Sequence, residues 1–252
     1  MGGVDELLAP LRAAPQRTGV LVDFDGTLSS IVDEPDAARP LAGVPELLAA
    51  LADRYALVAV VSGRPVEFLQ RWMPPSVLLS GLYGLEVVRD SVREDHPSAG
   101  AWREVVDDVV VVSRANGPAG MRVENKGLSL TLHYRQEPAL EADVKAWAAA
   151  QAARSGLSMR PARKSVELHP PIDTDKGTAV HQLVGDLVAA CFLGDDLGDL
   201  PAFDALDELA AAGAATVKVA VNSTEAPAEL LSRADLVVDG PAGARDLLEQ
   251  LL

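Results

Sequence analysis

Residues 20 to 28 read Val20-Leu21-Val22-Asp23-Phe24-Asp25-Gly26-Thr27-Leu28, an apolar run that ends in two aspartates flanking one phenylalanine. Val and Leu suit a strand buried on both faces, and Gly26 breaks it. Two carboxylates at the end of such a strand must be paired, hydrogen-bonded or metal-bound, because burying a bare charge is costly. Side chains alternate along a strand, so Asp23 and Asp25 are expected on one side and Phe24 on the other. Converging carboxylates at the C-terminal edge of a strand suit a hard divalent cation such as Mg2+. The alternative is a polar turn after an edge strand.

Outward from this run, strands and helices alternate. The spacing predicts a helix over 44–54, a strand over 56–61, a helix over 65–71, and short strands at 77–79 and 86–88. Such alternation predicts an α/β fold, a Rossmann-like parallel sheet with helices on both faces. The middle reads differently. Strands are expected at 121–125, 128–135, 157–160 and 166–168, with a helix over 137–154. Ser129-Leu-Thr-Leu-His-Tyr134 alternates apolar with polar, as a sheet with one wet face would. Residues 102–114 combine a Val-rich core that favours strand with a length that favours helix, and helix is preferred. Alternation then resumes, with helices over 177–185, 199–212, 226–232 and 242–252 and strands over 188–193, 217–221 and 236–238. Pro97-Ser-Ala-Gly100 and Pro170-Pro171 mark linkers. A core of 1–98 and 171–252 is therefore expected, carrying a smaller α+β insert at 99–170.

Composition narrows the function classes. Apolar residues make up 48% and charged residues 23% of the 252, an ordinary globular mixture. Lys and Arg number 22 against 37 Asp and Glu, a net charge of −15, which argues against a nucleic-acid partner. An anionic substrate stays open, since a metal and a few local cations reverse the sign inside one cleft. The one cysteine, Cys191, cannot form an intrachain disulfide, so a reducing compartment fits. Asp5 and Glu6 do not suit a signal peptide, and Glu6 stands where a myristoylation signal wants Ser or Thr. No run approaches the ~18–20 apolar residues of a membrane helix. A cytoplasmic protein without a membrane partner is expected.

Four segments sit where strands of the parallel sheet should end, the place where open α/β sheets bind ligands. They are Asp23-Phe-Asp25-Gly26-Thr27, Ser62-Gly63-Arg64, Asp175-Lys176-Gly177 and Gly194-Asp195-Asp196-Leu-Gly-Asp199. A hydroxyl and free N–H groups at a helix start make an anion site, yet Ser62 equally suits a helix cap. Lys176 equally suits solvent, and Asp195 to Asp199 a capping cluster at a helix N-terminus.

Together, in this order, the four segments resemble the motif set of the haloacid dehalogenase superfamily of phosphohydrolases. The resemblance implies that Asp23 attacks phosphorus and forms an aspartyl-phosphate, and that Asp25 serves as general acid and then base. It implies phosphate binding by Gly26, Thr27, Ser62, Gly63, Arg64 and Lys176. It implies Mg2+ held by Asp23, the Asp25 backbone carbonyl and Asp195, with Asp196 and Asp199 direct or through water.

The insert is similar to the second type of cap domain in that superfamily. Within it, Val123-Glu124-Asn-Lys126-Gly127, Leu130-Thr-Leu-His133-Tyr-Arg135 and Ser165-Val-Glu167-Leu resemble the trehalose-6-phosphate phosphatases. So do Asp23-Phe-Asp-Gly-Thr-Leu followed by Ile31-Val32, and Asp175-Lys-Gly-Thr-Ala-Val. The likeness covers nearly all the chain after about residue 17. It implies that Glu124, Lys126 and Glu167 bind the distal glucose, with Arg135 in the same sugar-binding set, and that the cap closes over the disaccharide. Carboxylates accept from sugar hydroxyls and an ammonium donates to their oxygens; a cross-strand ion pair is the alternative role for these residues. The implied substrate is a small sugar phosphate, with a functional link to a trehalose-6-phosphate synthase. A related sugar phosphatase, of the sucrose-phosphate or mannosyl-3-phosphoglycerate type, and a non-catalytic regulatory domain are the competing readings. Two departures bear on the substrate: Gly81-Leu82-Tyr83-Gly84 stands where many members carry Gly-Asn-His-Gly, and His169 where Arg is frequent.

Overall fold

The runs Thr18–Val22, Leu57–Val61 and Ala189–Gly194 are buried from end to end, which requires a sheet covered on both faces. A computed structural model describes residues 3–32, 34–162, 164–224 and 226–252 and builds that sheet. The chain divides into two units, Met1–Glu94 with Thr174–Leu252, and Asp95–Asp173.

The first unit holds strands β1 (Thr18–Val22), β2 (Leu57–Val61), β3 (Leu78–Gly81), β4 (Glu86–Arg89) and β5 (Val92–Asp95). After the second unit come β10 (Ala189–Gly194), β11 (Ala215–Asn222) and β12 (Leu236–Asp239). The sheet order is β12-β11-β10-β1-β2-β3-β4-β5. The six strands from β12 to β3 pair in parallel, and β4 turns back antiparallel on β3. The expected α/β class with a parallel sheet is therefore borne out.

Strand alternation divides the core into two layers. Val20 and Val22 of β1 and Val58 and Val60 of β2 face helices α1 (Val4–Ala13), α2 (Val44–Arg54) and α9 (Gly240–Glu249). Leu21, Ala59 and Phe192 face α6 (Lys176–Val184), α7 (Leu200–Ala211) and α8 (Ala228–Arg233). Phe24 falls in the first layer, edge-on to Phe68 with ring centroids 5.6 Å apart. Phe68 belongs to α3 (Val66–Leu69), a short helix that ends well before the 71 expected.

Two elements escape a reading of the sequence. Helix α1 carries Pro10 and acidic residues, yet Leu8 and Leu11 bury completely against the sheet, and this tertiary contact overrides the weak local signal. Strand β5 is exposed at every position, so no burial pattern announces it.

In the second unit, β6 (Arg122–Asn125), β7 (Leu130–His133), β8 (Ser158–Ala162) and β9 (Ser165–His169) form an antiparallel sheet of order β6-β7-β9-β8. Leu130, Leu132, Val166 and Leu168 pack on α4 (Arg103–Asn116) and α5 (Glu141–Ser155). The ambiguous Val-rich segment is helical, because Val106, Val109, Val110 and Ser113 bury at i, i+3, i+4 and i+7 spacing. No helix among the described residues is long and apolar enough to cross a membrane.

Cys191 lies in the middle of β10, 1% exposed, and burial pushes its thiol up to about 12. A thiol held protonated and walled in is a poor nucleophile. The native protein should not react with dithiobis(nitrobenzoate) at about pH 8, whereas unfolded protein releases one equivalent. Fast labelling of the native state would contradict this packing.

Candidate active site

Parallel strands β1 and β10 pair with Val22 opposite Leu193, and the Asp23 N–H continues the ladder to the Leu193 carbonyl at 2.9 Å. This register brings the residues after both strands to one edge of the sheet. Asp23, Asp195 and Asp199 each place a carboxylate oxygen within 4.8 Å of the others, and all three are buried. Lys176, the first residue of α6, reaches in with its Nζ 2.7 Å from Asp23 Oδ1 and 2.6 Å from Asp199 Oδ1. Asp175 caps that helix by accepting from the Thr178 N–H at 2.7 Å, which fixes where Lys176 begins.

Burial raises the Asp23 carboxyl well above its usual range; Lys176 opposes the shift, while Asp199 and Asp195 add to it. Asp199 is raised for the same first reason. Burial alone would drive Lys176 toward neutrality, but Asp199 and Asp23 outweigh it, so the ammonium keeps its proton more firmly than a free lysine. Two of the three carboxylates share the one ammonium, and the third, Asp195, lies beside them, all three buried. An oxygen-rich, acidic cluster fits a hard divalent cation such as Mg2+. Gly26 supports the fit: at φ +81°, a Cβ there would collide with the Asp195 carboxylate, so glycine lets the loop close on that acid.

The acids after β10 divide their work. Asp199 accepts from the backbone N–H groups of Asp195 at 2.8 Å and Asp196 at 3.0 Å, so it shapes the turn as well as pairing with Lys176. Asp196 accepts from the Gly198 N–H at 2.8 Å as a cap. The capping role open to this segment is thus real for Asp196 and Asp199, alongside the clustering.

Asp25 departs from the expected alternation. Strand β1 ends at Val22, so the period of two does not carry through to Asp25. Its carboxylate lies outside the three-acid group and is gripped in a fork by Arg64: Nε to Oδ2 at 2.7 Å and Nη2 to Oδ1 at 2.8 Å. Bidentate pairs of this kind are among the strongest side-chain contacts. Arg64 also donates to the Pro35 carbonyl at 2.9 Å and lies over the Phe68 ring, 4.5 Å from its centroid.

Ser62, after β2, accepts from the Arg64 N–H at 3.1 Å, which shapes the turn and keeps the hydroxyl proton for donation. Thr27 is fully buried, with its hydroxyl oxygen unpartnered among the described residues. A buried polar atom of this kind calls for a ligand or water.

Sequence reasoning overlooked how the turn around Ser62 is held. Glu86, on β4 and 2% exposed, accepts from the Val66 N–H at 2.9 Å and pairs with Arg93 at 2.7 Å. An acid inside a predicted strand was the available signal. The Leu82 and Tyr83 N–H groups donate to the carbonyls of Arg64 at 3.0 Å and Ser62 at 3.1 Å. Both residues adopt left-handed backbone, φ 49° and 59°, at a strain of about 1–2 kcal/mol each.

In the second unit, the register sets Glu124, Thr131, Glu167 and Arg160 in one row across the sheet. Glu167 is buried, accepts from the Ser129 hydroxyl at 2.7 Å and faces Lys126 at 4.0 Å. Glu124 pairs with His133 at 2.8 Å. The structure thus groups Lys126 with Glu167, and places Arg135 two residues beyond the end of β7, half-buried.

Removing the shared cation from buried acids leaves uncompensated charge, a change worth about 3–5 kcal/mol. Lys176→Met should lose stability on that scale in chemical denaturation with chelator present, and recover part of it with Mg2+. Unchanged stability in chelator would refute the charge balance described above.

Comparison with known proteins follows the same lines. The sequence profile of the family described as Trehalose-phosphatase matches residues 21–236. A trehalose-phosphate phosphatase of Mycobacterium leprae is 32% identical over all of this chain and 60% of its own length. One from Mycobacterium ulcerans is 34% identical over 82% of this chain and 54% of its own length. The chain therefore spans a little over half the length of these relatives. Among solved structures, the C-terminal domain of the Candida albicans trehalose-6-phosphate phosphatase shares the fold, with a TM-score of 0.78 and 24% identity over 99% of this chain and 96% of that one. Profile and identity together place the chain: it belongs to the trehalose-phosphatase family.

Proposed function

We propose that the protein is a Mg2+-dependent phosphatase that converts trehalose 6-phosphate to trehalose and phosphate through an aspartyl-phosphate on Asp23. The observation that carries this reading is the buried Asp23 carboxylate, set among Lys176, Asp195 and Asp199 at the edge of a parallel sheet. Family membership supports it.

An Asp23 oxygen attacks phosphorus in line, and the bond to the sugar oxygen breaks as the new P–O bond forms. Asp25 gives its proton to the departing sugar oxygen, then takes one from the water that hydrolyses the aspartyl-phosphate, releasing phosphate and restoring Asp23. Arg64 occupies both Asp25 oxygens, so Asp25 must swing off Arg64 to reach the sugar oxygen. Ser62 and Lys176 donate to phosphoryl oxygens as charge builds there. Mg2+, held by Asp23, Asp195 and the acids that follow, would neutralise phosphate charge and orient the ester.

The second unit would choose the sugar. Glu124 and Glu167 lie in one row of its sheet, with Lys126 facing Glu167, and carboxylates accept from sugar hydroxyls while an ammonium donates to sugar oxygens.

Two substitutions test the reading. Asp23→Asn should bring Mg2+-dependent phosphate release to background, and retained release would refute the mechanism. Lys126→Ala should lower kcat/KM for trehalose 6-phosphate by about 10- to 100-fold, the worth of one charged hydrogen bond, while sparing p-nitrophenyl phosphate. Equal losses on both substrates would remove the sugar role.

A further inference from the structure

Two hydroxyls from one strand of the second unit stand near a single carboxylate. Thr131 of β7 lies directly opposite Glu167 of β9 in the register, the position from which cross-strand partners are usually drawn. Glu167 takes the other hydroxyl. Its Oε1 accepts from Ser129 at 2.7 Å, a diagonal contact two residues back along the chain. The Thr131 hydroxyl stays buried and without a hydrogen-bond partner among the described residues. Burying a polar group unpaired is costly, so the direct bond is forgone for the diagonal one against the preference of Thr131.

The diagonal bond turns Glu167 toward the hairpin between β6 and β7. Lys126 lies in that hairpin, and its Nζ faces the second oxygen of the carboxylate, Oε2, at 4.0 Å. Ser129 closes the same hairpin, its carbonyl accepting from the Lys126 N–H at 2.9 Å. One residue therefore fixes both the backbone of the lysine and the side chain of the acid. Ser129 and Glu167 are both buried, Glu167 to 1% exposure. A hydroxyl bonded to an ionised acceptor in such low-dielectric surroundings holds it firmly.

We propose that Ser129 is a positioning residue for sugar recognition: its hydroxyl pins one oxygen of Glu167 so that the other faces Lys126, and this sets the geometry of the pair. The role requires no contact between Ser129 and the sugar. It rests on the reading of the second unit as the part that chooses the sugar.

Ser129→Ala removes the donor and little volume. Steady-state kinetics on the full chain with Mg2+ compare this variant, Glu167→Ala and the double variant, each with trehalose 6-phosphate and with p-nitrophenyl phosphate. Ser129→Ala should lower kcat/KM for the sugar phosphate about 10-fold, chiefly through KM, as expected for one hydrogen bond to a charged group. Turnover of p-nitrophenyl phosphate should stay at the wild-type level. The double variant should be no weaker than Glu167→Ala, because Ser129 acts through that carboxylate. Wild-type kinetics in Ser129→Ala beside a loss in Glu167→Ala would overturn the positioning role and leave the sugar reading standing. Wild-type kinetics in both single variants would overturn the two together. Equal losses on both substrates, or losses that simply multiply in the double variant, would also overturn it, since either marks an effect that bypasses Glu167.

Discussion

The ammonium of Lys176 holds this site together. Asp23 and Asp199 both pair with it, and its charge opposes the burial that raises both carboxyls. Its position depends in turn on backbone. Asp175 fixes the start of α6, and Gly177 lets that helix come close to the Pro201 carbonyl at the start of α7. A side chain at Gly177 would push α6 outward and take the ammonium with it. Three buried carboxylates within reach of one another make an oxygen-rich cluster that suits a divalent metal.

Asp23 and Asp25 are only two residues apart and meet different electrostatic worlds. Asp23 sits with like charges and one ammonium, where burial works against ionisation. Asp25 lies in the fork of Arg64, outside the acid cluster. One short segment thus gives its two carboxylates separate environments, the kind of separation that sets carboxyl groups apart in their chemistry. In this conformation Arg64 holds Asp25 at both carboxylate oxygens. Around it, Glu86, Leu82 and Tyr83 pin the turn by backbone hydrogen bonds, so the second motif is held as firmly as the first.

The architecture was legible where burial leaves a period. Helix α2 runs over the expected residues, Val44–Arg54, and the central strands read as unbroken apolar runs. Alternation in Leu130–His133 marked a sheet with one polar face. Helix α1 and strand β5 were not legible, one because Pro10 hides a contact-stabilised helix, the other because an exposed edge strand carries no pattern. At the site, the residue types and their order could be read, but not their pairings. Nothing in Ser62-Gly63-Arg64 announces that the guanidinium turns to Asp25, nor that a tyrosine twenty residues later covers the glycine.

By itself, the sequence determined that this chain alternates strands and helices, carries a distinct middle segment, and follows several strands with acids or a hydroxyl; the lysine expected at a fourth strand end instead opens helix α6, with no strand of the parallel sheet before it. These are local properties, set by side-chain chemistry and by the periods of strand and helix. Only the tertiary structure decided which charges meet: Lys176 with Asp23 and Asp199, Arg64 with Asp25, Glu86 with the backbone of Val66. Those contacts join residues far apart in the chain through parallel-sheet register and close glycine approaches. Both are properties of how elements pack, and no local stretch encodes them.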